Sequence, residues 1–77
     1  MYIWYHTFGG GEYMKISREK INIELARKEM SVTALANAYG VSRARMNVIL
    51  NSREVSTVSA GRLAKALGVD VTEILDD

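Results

Sequence analysis

The segment from residue 42 to residue 53 carries side chains that can form hydrogen bonds with nucleic-acid bases and phosphates. Residues 43–51 hold two arginines and two asparagines and no acidic residue. Arginine donates to guanine or to phosphate, asparagine can pair with adenine through two hydrogen bonds, and an aliphatic methyl group can contact thymine. These residue types therefore favour double-stranded DNA as the partner of this segment.

The same segment has the periodicity of a helix with one apolar face. At about 100° per residue, Met46, Ile49 and Leu50 cluster on one side, which we expect to face the core. The opposite side has small or amide side chains in its middle and basic side chains at its edges: Ala44, Asn47, Val48 and Asn51, flanked by Arg43 and Arg45. Short side chains allow a helix to approach base edges closely in the major groove. A solvated surface helix is the alternative, but such a helix more commonly carries Glu and Lys on this face.

Start and stop signals predict five short helices, because serine and aspartate favour the N-cap position and glycine the C-cap position. The predicted N-caps are Ser17, Ser31, Ser42, Ser56 and Asp70. The predicted helices cover residues 18 to about 29, 32–39, 43–50 and 57–67, and a last turn or two after Asp70. Gly40 and Gly68 end two of them, Asp70 and Glu73 form a capping box, and Gly61 permits close approach of another helix. This pattern predicts an all-α fold.

The glycine triplet at positions 9–11 separates an N-terminal extension, residues 1–13, from a domain at 14–77. Residues 1–8 hold four of the six aromatic residues and favour a strand. Within residues 9–15, however, the codons of residues 9–12 back-translate to a purine-rich tract just upstream of the ATG of Met14, which resembles a bacterial ribosome-binding site. One hypothesis is therefore that the natural start is Met14 and that residues 1–13 are translated leader. A genuine N-terminal strand is the alternative.

Composition excludes several function classes. The chain has 77 residues, which suffice for one small domain, and 48% apolar with 25% charged residues is typical of a folded globular protein. The absence of cysteine excludes disulfides and thiolate zinc sites, and the single His6 has no partner for a histidine metal site. We find no paired carboxylates or catalytic triad, so we expect no enzyme and no cofactor. No apolar run approaches the roughly 18 residues of a membrane span, and no secretory signal is evident, so we expect a cytoplasmic protein.

Charge is distributed unevenly although the formal net charge is only +1. Residues 31–55 hold three arginines against one glutamate, whereas residues 56–77 hold four acidic residues against Arg62 and Lys65. The middle of the chain is therefore basic and its C-terminal end acidic. This polarity can turn one face toward an anionic partner.

Four sequence blocks, in this order and spacing, resemble the Cro/C1-type (XRE) helix-turn-helix family, above all the short regulators of Gram-positive phages and mobile elements. They are residues 31–36 (SVTALA), 40–42 (GVS), 46–51 (MNVILN) and 63–69 (LAKALGV). Two positions depart from the family pattern. Val32 stands where a phosphate-contacting glutamine is frequent at the start of the second helix. Asn51-Ser52-Arg53 replaces Asn-Gly-Lys, so Arg53 keeps the charge while Ser52 casts doubt on a glycine-type turn.

The resemblance implies a five-helix, lambda-repressor-like domain whose third helix recognises DNA. It implies a sequence-specific transcriptional regulator, a repressor, that binds a two-fold symmetric operator as a homodimer in the bacterial cytoplasm, on the nucleoid, without a small-molecule ligand. The predicted DNA-binding residues are Ser42, Arg43, Ala44, Arg45, Asn47, Val48, Asn51 and Arg53. The alternative is a protein-interaction module, such as the antitoxin of a toxin–antitoxin pair.

Overall fold

Four α-helices and a small antiparallel sheet make up the computed structural model, which describes residues 7–8 and 11–76. The helices are α1 (Arg18–Lys28), α2 (Val32–Tyr39), α3 (Arg43–Asn51) and α4 (Thr57–Leu67). The strands are β1 (Thr7–Phe8), β2 (Gly11–Lys15) and β3 (Glu54–Ser56), in the order β1-β2-β3. One 3-10 turn, Val71–Glu73, follows α4.

The four serines predicted as N-caps all start helices. The hydroxyl oxygen of each serine accepts a hydrogen bond from the backbone N–H three residues later: Ser17 from Lys20, Ser31 from Ala34, Ser42 from Arg45 and Ser56 from Ser59, at 3.0–3.1 Å. Each bond satisfies a donor that a helix start otherwise leaves without a partner. These predicted helix starts are confirmed.

One apolar core holds the helices together. Its fully buried large side chains come from all four helices and from the segment after α4: Ile21, Leu35, Met46, Leu50, Leu63, Leu67 and Ile74. The small residues Ala36, Ala60 and Ala64 lie in the same cluster and allow α2 and α4 to pack closely. Helix α3 is attached to this core through Met46 and Leu50, which fixes its rotation about its own axis.

The prediction of an all-α fold is wrong for residues 11–15 and 54–56, which form β2 and β3. The two strands are antiparallel, with Met14 opposite Val55 and Lys15 opposite Glu54. Val55 is buried between two partly exposed neighbours, and Lys15 is exposed between two more buried ones, which is the two-residue alternation of a strand. A three-residue strand is too short to show this period in the sequence. Tyr13, within the predicted extension, pairs with Ser56.

A fifth helix does not form after Asp70. Val71–Glu73 is a single 3-10 turn, and the chain then extends so that Leu75 pairs with Ile16 and Ile74 O accepts from Ser17 N at 2.8 Å. The Asp70 carboxylate accepts from Thr72 N at 3.1 Å and from the Thr72 hydroxyl, which together lower the pKa of Asp70. Asp70 is thus the N-cap, as predicted, but its carboxylate accepts from Thr72 N and not from Glu73 N as a capping box requires. The turn stops where Leu75 pairs with Ile16.

Gly61 does not lie at a close contact with another helix, which the sequence had predicted. The residue lies on the exposed side of α4, and a Cβ atom built there meets no atom within 4 Å. The expectation that Gly61 permits close approach of another helix is wrong.

The turn between α2 and α3 depends on Gly40. Its φ and ψ of 99° and 32° are left-handed, as predicted for this C-cap, and its N–H donates to Ala36 O at 2.8 Å. Arg62, on α4, fixes the same turn from outside. Its guanidinium lies 4.3 Å from the centre of the Tyr39 ring and donates to Tyr39 O at 2.8 Å. The turn is thus attached to α4 as well as to its own helices.

We predict that Gly40→Ala destabilises the domain by more than about 1 kcal/mol, because a β-carbon is strained at positive φ. Gly61→Ala is the matched control: it lies in a helix with open space around it and should leave stability unchanged or raise it by up to about 1 kcal/mol. Thermal and urea unfolding of the two variants checks this. Equal melting curves for Gly40→Ala and the unaltered protein would contradict the account of the turn.

Candidate nucleic-acid interface

Helix α3 has the two faces that its sequence predicts. Met46 is 0% and Leu50 2% exposed, and Ile49 is half-buried against the core. All eight residues of the predicted interface are exposed: Ser42, Arg43, Ala44, Arg45, Asn47, Val48, Asn51 and Arg53. We call the exposed surface of α3 the outward face; it is formed by Arg43, Ala44, Arg45, Asn47, Val48 and Asn51. It contains no acidic side chain.

The side chains of the basic residues at the start of α3 have no partner among the described residues. Within the described part of the chain, the guanidinium groups of Arg43 and Arg45 form neither a hydrogen bond nor an ion pair. Both therefore keep their donors available for an external acceptor. Ser42 differs, because its hydroxyl oxygen caps the helix at Arg45 N; its first role is to start α3 at this position.

Two aliphatic residues contribute to the outward face. Val48 is 55% exposed, and Ala44, one turn before it, is exposed as well. The small Ala44 side chain leaves space between Arg43 and Asn47 through which a partner can approach the helix. Two aliphatic side chains beside amide and guanidinium groups match a surface of base edges, where thymine methyl groups lie beside hydrogen-bonding atoms.

A cleft of about 370 Å³ lies at the C-terminal end of α3. Its polar lining comes from three separate parts of the chain: Lys15, Ser17, Arg18, Asn51, Ser52, Arg53 and Asp76. Arg18 Nη1 donates to Asn51 Oδ1 at 3.3 Å, and Arg18 Nε donates to Asn22 Oδ1 at 3.1 Å. The first residue of α1 is therefore connected to the last residue of α3.

Sequence reasoning missed Arg18 and Lys15. Arg18 and Asn51 are 33 positions apart, so no local pattern relates them. The signal that could have found them is indirect: both basic residues flank Ser17, a predicted helix start, and a helix N-terminus favours anions.

The two departures from the family pattern have clear structural consequences. Val32, at the start of α2, is partly buried and packs against the core. Its side chain therefore supports the helix. Ser52, after α3, has an extended backbone with φ −76° and ψ 139°, and its hydroxyl donates to Val48 O at 2.9 Å. The doubt about a glycine-type turn is justified, because the extended residues after α3 lead through Arg53 into β3.

Two other kinds of functional feature are absent from the part of the chain that the structure describes. No helix in this part of the chain is long and apolar enough to cross a membrane. Among the same residues, no group of three or more His, Cys, Asp or Glu side chains is placed to hold a metal ion.

Comparison with known proteins identifies the domain. The family model of the Cro/C1-type HTH DNA-binding domain matches residues 20–77 of the 77-residue chain. No curated protein and no solved structure gives a significant match. The matched range includes all of α2, α3 and α4 and the turn at Gly40, which form the helix-turn-helix and its support. The chain belongs to the Cro/C1-type helix-turn-helix DNA-binding domain family.

Proposed function

We propose that this protein is a sequence-specific transcriptional regulator that places α3 in the major groove of double-stranded DNA. The observation that carries the proposal is the outward face of α3. The buried side chains of Met46 and Leu50 fix the orientation of this face. The face carries two arginines and no carboxylate. A helix fits the major groove, which is about 12 Å wide, and the residues of its first turns reach the base edges there.

Base recognition is assigned to the N-terminal half of α3. Arg43 and Asn47 are one turn apart on the outward face, and both are exposed. Arginine can form two hydrogen bonds with guanine, and asparagine can form two with adenine. Ala44 allows the approach, and Val48 supplies methyl groups for thymine. These four residues are the proposed base-contacting set.

Anchoring to the DNA backbone is assigned to the basic residues at the edges of the outward face. Arg53 follows α3 and is exposed, and within the described residues its side chain has no hydrogen-bond or ion-pair partner. Arg45 lies at the flank of the first turn, and we favour phosphate as its partner too. Phosphate contacts supply most of the affinity and set the position of the protein on DNA, without sequence information.

We further propose that the protein acts as a homodimeric repressor in the bacterial cytoplasm. A bound dimer occupies its operator and thereby blocks access to the promoter. The surface that supports dimerisation is the start of α4, where Val58 is 71% exposed, the highest exposure among the large apolar side chains of the described residues. Val71 and Leu75, the other apolar candidates near this helix, are partly buried.

Arg43→Ala and Asn47→Ala should each cost about 1–3 kcal/mol on the preferred sequence and relax the preference at one base position. Arg53→Ala should weaken binding to all sequences alike and reduce the salt slope by about one. The measurement is the affinity of each variant for matched and mismatched duplexes across a salt series.

The opposite pattern would contradict the assignment. If Arg53→Ala abolished the base preference while Arg43→Ala and Asn47→Ala left it intact, α3 would not be the recognition helix. If the unaltered protein bound duplexes without salt dependence or not at all, the protein-interaction alternative, such as an antitoxin, would replace the proposed function.

Dimerisation predicts two protomers on a two-fold symmetric site, with half-sites about 34 Å apart. Analytical ultracentrifugation of the protein on such a duplex measures the stoichiometry. Val58→Glu should reduce the complex to one protomer per duplex, because two carboxylates would meet at the two-fold axis. Lys65→Glu is a control at an exposed position of the same helix. A single unaltered protomer on a short site without repeat would refute the dimer.

A further inference from the structure

We infer that the cleft at the end of α3 binds the sugar-phosphate backbone of DNA through Arg18 and Asn51 acting as a pair. Asn51 then anchors the protein, although it lies on the outward face with the base-contacting residues. This inference rests on the proposed DNA-binding function and concerns the contact of α1, which lies outside the helix-turn-helix, with the end of α3.

The hydrogen bond between Arg18 and Asn51 fixes the orientation of the Asn51 carboxamide. Arg18 Nη1 donates to Asn51 Oδ1 at 3.3 Å, while Arg18 Nε is held by Asn22 Oδ1 at 3.1 Å. The two bonds hold the guanidinium between α1 and α3. This bond uses one of the two lone pairs of the carboxamide oxygen, whereas both N–H donors of the Asn51 amide group stay available.

This orientation determines which nucleic-acid atoms Asn51 can contact. Pairing with adenine needs the carboxamide oxygen as acceptor and the amide nitrogen as donor at the same time. A phosphate group offers acceptors only, and donors from side chains are its usual partners. Arg18 also keeps N–H groups beyond the two used within the protein, because a guanidinium carries five. The pair therefore presents mainly donors, which favours phosphate over adenine.

The charges around the cleft support the same ligand. Lys15 and Arg53 line it together with Arg18, and Asp76 is the one acidic residue in its lining. Lys15 lies opposite Glu54 across the pair of β2 and β3. The two guanidinium groups of Arg18 and Arg53 against one carboxylate leave the cleft positive. The cleft also lies where α3 ends, so a duplex whose groove holds α3 brings its backbone past this point.

The test compares salt slopes and base preferences of single variants on a preferred duplex and on a duplex of unrelated sequence. Arg18→Ala should lower the salt slope by about 0.9, the value for one lost phosphate contact on duplex DNA. Lys28→Ala is the matched control, because it removes the same charge from the other end of α1, where Lys28 Nζ donates to Gly68 O. Lys28→Ala should leave the salt slope unchanged.

Asn51→Ala should weaken binding to both duplexes by the same factor. Asp76→Asn should strengthen binding to both.

Three outcomes would overturn the inference. Equal changes of slope in Arg18→Ala and Lys28→Ala would show an effect of net charge alone. An unchanged slope in Arg18→Ala would show that the cleft does not contact phosphate. A changed preference at one base position in Asn51→Ala would make Asn51 a base-contacting residue.

Failure of the proposed function itself would give a different result, because the unaltered protein would then show no salt-dependent binding to either duplex. Arg18 and Asn51 are both exposed, and a melting curve for each variant confirms that it is folded.

Discussion

The burial of Met46 and Leu50 is the constraint on which the rest of the interface depends. Both side chains are almost completely buried, and their removal from water is worth about 1.5–3 kcal/mol each. Because they lie four residues apart on one helix, their burial sets the rotation of α3 and leaves Arg43, Asn47 and Val48 on the opposite side. The chemistry of the outward face is therefore a consequence of core packing.

The position of α3 relative to the other helices depends on contacts outside it. Gly40 reverses the chain after α2 through a left-handed backbone conformation, and Arg62 attaches this turn to α4 through the Tyr39 carbonyl and ring. At the other end, Ser52 and Arg53 lead into β3, which pairs with β2. Helix α3 is thus fixed at both ends, so that its outward face is held as a rigid surface.

Much of this arrangement was predictable because its signals are local. Four serines and two glycines mark helix ends through their own hydrogen bonds and backbone angles, and the outward face follows from helical periodicity. The sheet was not predictable, since β3 has three residues and pairs with a strand about 40 positions away. The 3-10 turn at Val71–Glu73 ends early because Leu75 pairs with Ile16, a long-range contact. The pair Arg18 and Asn51 escaped prediction for the same reason.

Contact between the outward face of α3 and DNA is the proposal on which the other residue assignments depend. Titration of ¹⁵N-labelled protein with a duplex selected from a random pool, followed by amide chemical shifts, tests it residue by residue. We predict that the largest shifts occur from Ser42 to Asn51, with further shifts around Arg18 and Arg53, while the C-terminal end of α1 at Lys28 stays unchanged. Shifts concentrated on α4, with the amides of α3 unaffected, would contradict it.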